Sequence, residues 1–109
     1  MVVRVFVLSI LASVVVAPVA ASDLEAGLAA YERGEFITAL SLLRPLAEQG
    51  EPRAQSRLGT MYMRGEAVTK NTEEGVRWYR KAASQGFVDA MVNLGTAYAR
   101  GEGVTKDDV

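Results

Sequence analysis

Apolar residues recur at intervals of three and four along most of the chain, the spacing that places them on one face of an α-helix. This periodicity predicts five helices, at about 23–33, 36–49, 52–64, 72–85 and 88–100. A glycine follows each of them, at 34, 50, 65, 86 and 101. Glycine suits the left-handed turn after a helix because it has no Cβ. The pattern therefore predicts an all-α protein.

Residues typical of helix ends support these boundaries. Ser22, three residues before Glu25, has the pattern of a capping box, and Asn71 is placed to cap the fourth helix. Pro52 stands where the third helix begins, so its missing N–H does no harm there. Pro45 lies inside the second helix, where we expect a kink or an early end.

A sequence repeat of 36 residues relates the later helices. The segment Leu-Gly-Thr-Met-Tyr-Met-Arg-Gly-Glu at 58–66 returns at 94–102 as Leu-Gly-Thr-Ala-Tyr-Ala-Arg-Gly-Glu. A period of this length predicts stacked helix pairs, that is, an α/α superhelical solenoid. The repeated positions are first of all framework that packs one unit on the next. The framework positions are Leu58, Gly59, Tyr62, Gly65, Ala83, Gly86, Ala90, Leu94, Gly95, Tyr98 and Gly101.

Two of the framework glycines predict where helices approach each other closely. Gly59 and Gly95 lie inside helices, where glycine costs about 1 kcal/mol relative to alanine. We therefore expect a neighbouring helix to approach closely at these points. Asp107 lies 36 residues after Asn71 and is likewise placed to cap a helix, but the sequence ends at residue 109. The face that contains Leu94 is therefore expected to be partly bare.

The N-terminal segment differs from the rest. After Arg4 the chain is apolar to Ala17, and Pro18 and small residues follow. This order predicts a signal peptide at 1–21, cleaved after Ala21, and a folded domain at 22–109. Such a chain would be periplasmic or secreted. The alternative is an uncleaved membrane anchor, but Pro18 interrupts the run before the roughly 20 apolar residues that a spanning helix needs.

Composition narrows the possible chemistry. The 109 residues include no cysteine and no histidine, and the net charge is −1. Disulfides, thiolate or histidine metal sites and Ser-His-Asp triads are thereby excluded. A nucleic-acid interface would need a clear basic excess, which a net charge of −1 does not provide. Adjacent Glu73 and Glu74 point about 100° apart on a helix and do not form an acid/base pair. We expect no catalytic residue, cofactor or metal.

The repeat closely resembles a known family. The motif Leu-Gly-x-x-Tyr-x-x-Gly-x-x-Val-x-x-Asn/Asp is followed by Trp-Tyr-Arg-Lys-Ala-Ala-Ser-Gln-Gly at 78–86 and by Ala90. This pattern resembles the Sel1-like repeat, a relative of the tetratricopeptide repeat. It indicates a divergent repeat at 24–50, a full repeat at 51–86 and an incomplete one at 87–109. The resemblance implies a superhelix whose concave face binds peptides or proteins.

The function expected from this resemblance is that of an exported protein-interaction module or scaffold without catalysis. Its partner would be a protein or peptide, and a homodimer through the open C-terminal face is possible. A basic cluster beside a tryptophan supplies the candidate binding residues, since arginine and aromatic residues are common interface anchors. They are Arg64, Lys70, Arg77, Trp78, Arg80 and Lys81. A solvated helix face is the alternative interpretation of this cluster.

Two rival functions remain open at this stage. One is a cell-envelope enzyme, such as a hydrolase acting on β-lactams or cell-wall material. The resemblance connects some cysteine-rich members with β-lactams, but this chain lacks cysteine. The other is a membrane-anchored adaptor that retains its N-terminal segment. No nucleic-acid partner is expected.

Overall fold

The structure, a computed structural model, describes residues 23–104. In this range the chain forms five helices and no strand. They are α1 (residues 23–32), α2 (Phe36–Glu48), α3 (Pro52–Arg64), α4 (Thr72–Ala83) and α5 (Val88–Arg100). The five predicted helices are confirmed, with boundaries that differ by two residues at most. The signal peptide and the caps at Ser22 and Asp107 lie outside the described residues.

Helix ends follow the local chemistry that the sequence indicates. The Asn71 side chain accepts a hydrogen bond from the backbone N–H of Glu74 at 3.1 Å, which confirms the predicted cap of α4. Gly65 and Gly101 end α3 and α5 with φ values of 73° and 68°. These left-handed conformations favour glycine.

α2 continues through Pro45 to Glu48, so the alternative of an early helix end was wrong. Pro45 is exposed, whereas Ala39, Leu43 and Ala47 on another face of α2 are buried. Proline removes one backbone hydrogen bond. Burial of that apolar face holds the last turn in place despite the loss.

Consecutive helices pack against each other, α2 on α3, α3 on α4 and α4 on α5. The largest fully buried side chains, Leu43, Leu58, Met61 and Val76, lie along this series. None of the described helices is long and apolar enough to cross a membrane. The core is therefore distributed between neighbouring helices, as in a stack of repeats.

Trp78, one of the candidate binding residues, is largely buried, with only 7% of the residue exposed. It joins the core cluster that contains Leu43, Leu58 and Met61. Because α4 packs against both α3 and α5, it buries a wider arc than one apolar face of a helix indicates.

The close helix approach predicted at Gly59 is confirmed. A Cβ on Gly59 would lie 2.8 Å from the Tyr79 ring and 3.0 Å from the carbonyl oxygen of Gly75. A Cβ on Gly75 would in turn lie 2.7 Å from Met63. Paired glycines thus let α3 and α4 cross at short range.

The equivalent position in α5 has no such neighbour. Among residues 23–104, nothing lies within 4 Å of a Cβ built on Gly95. Leu94 is half-buried, although its counterpart Leu58 is fully buried. Within residues 23–104, this face of α5 is therefore less covered than the equivalent face of α3.

Candidate functional site: a groove along α3 and α5

Two adjoining hollows form a groove on the side of the stack where α1, α3 and α5 lie. Their volumes are about 370 and 300 Å³, and they share Thr60 and Asn93. The first hollow is lined by Leu28, Arg53, Ser56, Arg57, Thr60, Phe87, Asp89, Val92 and Asn93. The second is lined by Thr60, Met63, Arg64, Tyr79, Asn93, Thr96, Ala97, Arg100 and Glu102.

Helical spacing brings the polar residues of the groove together. On α3 they stand at positions 53, 57, 60 and 64, and on α5 at 89, 93, 96 and 100. Steps of four, three and four residues place side chains on one helix face. The two sets are 36 residues apart, so the repeat itself builds the two walls.

Sequence reasoning missed most of this groove because it followed the apolar face of each helix. The signal was nevertheless present: a second, polar periodicity of three and four residues recurs after 36 residues in α3 and α5. Only the fold shows that the two polar faces point into one groove.

The α3 wall is basic but partly neutralised. Arg53 lies 3.6 Å from Glu25 and 3.8 Å from Glu51, and Arg57 lies 3.8 Å from Glu32. These ion pairs are largely exposed, and pairs of that kind contribute only about 0–1 kcal/mol. An incoming carboxylate can therefore replace the internal partner at little cost.

Tyr31 contacts Arg57 of the α3 wall through its ring and Glu66 through its hydroxyl. The Arg57 guanidinium stacks 4.5 Å from the centre of the Tyr31 ring. The Tyr31 hydroxyl donates to Glu66 at 2.7 Å. Burial raises the pKa of Tyr31, and the hydrogen bond to Glu66 raises it further. The arginine is thereby held over a neutral phenol, which supports its orientation toward the groove.

Thr60 lines both hollows, and its hydrogen-bond partner Tyr79 lines the second. Their hydroxyl oxygens are 2.7 Å apart and share a hydrogen bond. Burial raises the pKa of Tyr79, although the hydrogen bond to Thr60 acts in the opposite direction. The Thr60–Tyr79 pair is therefore neutral and polar at physiological pH.

The α5 wall carries polar groups that have no internal partner. Within residues 23–104, the side chains of Asp89, Asn93 and Arg100 make no hydrogen bond or ion pair. Asn93 sits at the junction of the two hollows. An amide offers two donor hydrogens and one acceptor oxygen. Asn93 is thus available to a ligand lying along the groove.

The six predicted binding residues do not all belong to this groove. Arg64 lines it, 3.5 Å from the Tyr31 hydroxyl and 3.9 Å from Glu66. Lys70, Arg77, Trp78, Arg80 and Lys81 do not line it. A binding role for the six residues stays a prediction.

Local contacts explain the positions of three of these residues on α4. Arg77 forms an ion pair with Glu74, one turn earlier on the same helix. The Lys81 ammonium lies 4.6 Å from the centre of the Trp78 ring. Lysine therefore covers one face of the buried tryptophan with its side chain.

Arg80 participates in packing between units. Its guanidinium donates to the Tyr98 hydroxyl at 3.1 Å, and Arg44 donates to the Tyr62 hydroxyl at the same distance. The arginines are 36 residues apart, and so are the tyrosines. The second helix of one unit thus binds the first helix of the next through an Arg–Tyr contact. Sequence analysis missed this pairing.

The lining of the groove mixes polar and apolar side chains. In the part of the chain that the structure describes, no three His, Cys, Asp or Glu residues are grouped to hold a metal ion. Its polar side chains instead alternate with apolar ones such as Val92 and Leu28. Mixed linings of this type bind ligands through a few placed polar contacts and apolar burial.

Comparisons with known proteins agree with this architecture. The crystal structure of a Sel1 repeat protein from Oxalobacter formigenes is similar, with a TM-score of 0.72 and 37% sequence identity. The match covers 77% of this chain and 34% of that one. The structure of c5321, a protective antigen present in uropathogenic Escherichia coli strains and displaying an SLR fold, has a TM-score of 0.70 and 39% identity. That match covers 78% of this chain and 19% of the c5321 chain.

These matches confirm the helical-repeat solenoid, although the chain spans only about a third and a fifth of the two proteins. No curated protein matches the chain. The Sel1 repeat profile matches residues 52–87 and 88–109, which together make up more than half of the sequence. The chain therefore belongs to the Sel1 repeat family.

Proposed function

We propose that this chain is an exported, periplasmic interaction module that binds an extended segment of a protein partner in the groove and has no catalytic activity of its own. The observation that carries the proposal is the α5 wall. Asp89, Asn93 and Arg100 line the groove opposite the arginines of α3, and within residues 23–104 their side chains have no internal partner.

The family supports the general role. Sel1-repeat proteins generally mediate protein–protein interactions, and their fold is typically a non-catalytic scaffold. In stacked repeats the first helices of successive units line a common surface, which provides an extended binding site. In this chain that surface is the groove.

The chemistry of the groove favours an extended peptide. An extended backbone presents unpaired N–H and C=O groups, and the Asn93 amide can bind one of each. Arg100 and Arg64 can bind a carboxylate through charge-assisted hydrogen bonds, which are stronger than neutral ones. Phe87 and Val92 offer apolar surface for a side chain. The proposed ligand therefore combines a free backbone with at least one acidic group.

Selection of linear peptides from a displayed random library, followed by fluorescence anisotropy with the purified chain, tests the site. Arg100→Ala should weaken the selected peptides about tenfold or more, since a hydrogen bond to a charged group contributes roughly 1.5–3 kcal/mol. Asn93→Ala should also weaken them. Both residues lie on the surface wall of α5, so the variants should keep the helical circular-dichroism signal.

Arg77→Ala is the matched control. It removes the same side chain from an exposed helix position outside the groove, where Arg77 is paired with Glu74. Affinity should remain unchanged. If Arg77→Ala abolishes binding and Arg100→Ala does not, the binding site is the basic cluster predicted from sequence, and the groove proposal is wrong.

Export is tested separately by intact mass. Expression of the full chain in a Gram-negative host should yield a periplasmic protein whose first residue is Ser22. A membrane-associated product that retains residues 1–21 would contradict export by cleavage and would favour the membrane-anchored adaptor.

A further inference from the structure

The first hollow of the groove contains a buried serine hydroxyl that the fold leaves unpaired. Ser56 on α3 lines this hollow, and only 6% of the residue is exposed. Within residues 23–104 its hydroxyl forms no hydrogen bond, since the Thr60 side chain bonds the backbone carbonyl of Ser56 instead. Buried polar groups usually have a partner, because an unpaired one costs free energy. The hydroxyl therefore points to a ligand in the hollow.

Two arginines flank Ser56 on the same wall. Arg53 and Arg57 both line the hollow, one turn apart on α3. The Arg57 side chain is 35% exposed, and its ion pair with Glu32 is long, at 3.8 Å. The lining residues carry two positive charges and one negative charge, so their net charge is +1. That charge is complementary to a single carboxylate.

Apolar side chains line the same hollow. They are Leu28 of α1, Phe87 at the start of α5 and Val92 of α5. A hollow of about 370 Å³ thus brings a net positive charge and apolar surface together. A ligand that fits it carries a carboxylate and a hydrocarbon group close to each other.

We propose that the first hollow binds the C-terminal residue of the partner protein. The free α-carboxylate accepts hydrogen bonds from the Ser56 hydroxyl and the Arg57 guanidinium. The side chain of that residue is apolar and packs against Leu28 and Val92. This proposal rests on the proposed function, because it names the part of a protein partner that enters the groove.

A terminal residue fits the hollow better than an internal aspartate or glutamate. In a terminal residue the carboxylate and the side chain leave the same Cα, so both can enter one hollow. In an extended segment successive side chains point to opposite sides, which separates an acidic side chain from the apolar one next to it. Asp89 on the α5 wall can accept a hydrogen bond from the N–H of the terminal residue, since a carboxylate is an acceptor only.

NMR titration of the purified, isotope-labelled chain with two short peptides tests the proposal. The first, acetyl-Ala-Ala-Leu, ends in a free carboxylate. The second, acetyl-Ala-Leu-Glu amide, has the same charge and a leucine, but its carboxylate is on a side chain. The first peptide should cause saturable shifts of the backbone amides of Ser56 and Arg57, and the second should bind at least tenfold more weakly. Equal affinity of the two peptides, or no saturable shift with the first, would overturn the proposal.

Two substitutions test the contacts with the carboxylate. Ser56→Ala removes a hydroxyl that has no partner within residues 23–104, so the chain should remain folded while its affinity for acetyl-Ala-Ala-Leu falls about fivefold or more. Arg57→Gln should weaken binding at least tenfold, because a charge-assisted hydrogen bond is lost. Ser41→Ala, at an exposed serine of α2 outside the groove, is the matched control and should bind as wild type. Wild-type affinity of either Ser56→Ala or Arg57→Gln would contradict the proposed contacts.

Failure of this proposal and failure of the proposed function give different results. Arg100 lines the second hollow, so Arg100→Ala should leave the affinity for acetyl-Ala-Ala-Leu unchanged. If peptides selected from the library lose affinity with Arg100→Ala but not on amidation of their C-terminus, the groove proposal stands and C-terminal recognition is wrong. If acetyl-Ala-Ala-Leu binds in a Ser56-dependent way but longer peptides do not depend on Arg100, C-terminal recognition stands and the extended groove is wrong.

Discussion

The same substitution, glycine to alanine, should have opposite effects at two equivalent positions of the repeat. Gly59 and Gly95 occupy the same place in α3 and α5, 36 residues apart. Alanine is favoured over glycine in a helix interior by about 1 kcal/mol. At Gly95 no atom of the described residues lies within 4 Å of the new methyl group. Gly95→Ala should therefore stabilise the chain by roughly 1 kcal/mol.

At Gly59 the added methyl group would clash with atoms of α4. Its Cβ would lie 2.8 and 2.9 Å from two carbons of the Tyr79 ring and 3.0 Å from the backbone oxygen of Gly75. A backbone atom cannot turn away, and Tyr79 is 5% exposed with its hydroxyl bound to Thr60. Overpacking of this kind costs about 1–3 kcal/mol. After the gain in helix propensity of about 1 kcal/mol, Gly59→Ala should destabilise the chain by roughly 1 kcal/mol.

Thermal and urea unfolding of the purified chain, followed by circular dichroism at 222 nm (an amide wavelength typical of α-helix), measures both effects. For a domain of this size 1 kcal/mol corresponds to about 4–8 °C in Tm. The two variants should thus differ by roughly 8 °C or more. A Gly59→Ala protein as stable as Gly95→Ala would refute the inference that α3 and α4 need paired glycines to cross.

Further predictions concern the loop turns and the buried phenol. Ala67 adopts φ 63° and its repeat counterpart Gly103 adopts φ 72°, so Ala67→Gly should stabilise the chain by about 0.5–1 kcal/mol in urea unfolding. Gly103→Ala should destabilise it by about 2 kcal/mol or more, because its Cβ would meet the carbonyl oxygen of Thr72; a stable Gly103→Ala protein would contradict the placement of this loop. Burial raises the pKa of Tyr79, so its contribution to the free energy of unfolding should be constant below pH ~10 and be lost as the pH rises from there toward the folded-state value. Tyr79→Phe should reduce this alkaline slope, and an unchanged slope would assign it to other groups such as Tyr31.

Much of the fold could be predicted from the sequence because it depends on local chemistry. Three- and four-residue apolar spacing placed the helices, and glycines and Asn71 placed their ends. The 36-residue repeat added the stacking order. The early helix end expected at Pro45 does not occur, because the local cost of a proline is visible in the sequence, whereas the burial of Leu43 and Ala47 that offsets it is not.

The candidate site was far less accessible from sequence. The basic cluster was proposed from residue type and proximity along the chain, yet Trp78 is buried and Arg80 binds Tyr98. Both effects require a neighbouring helix from another part of the chain. Asn93 and Arg100 were overlooked since a single polar residue on a helix has no special signature. Their importance appears only when α3 and α5 form two sides of one groove.

The sequence by itself determined the helices, their caps and the period of the repeat, because these features depend on residues within one or two turns of each other. The tertiary structure decided which faces are covered. Gly59 and Gly95 have the same local sequence, but α4 packs on the first, and nothing in the described structure packs on the second. Burial, and with it the choice between framework and binding surface, depends on contacts between distant segments, so identical motifs acquire different roles in α3 and α5.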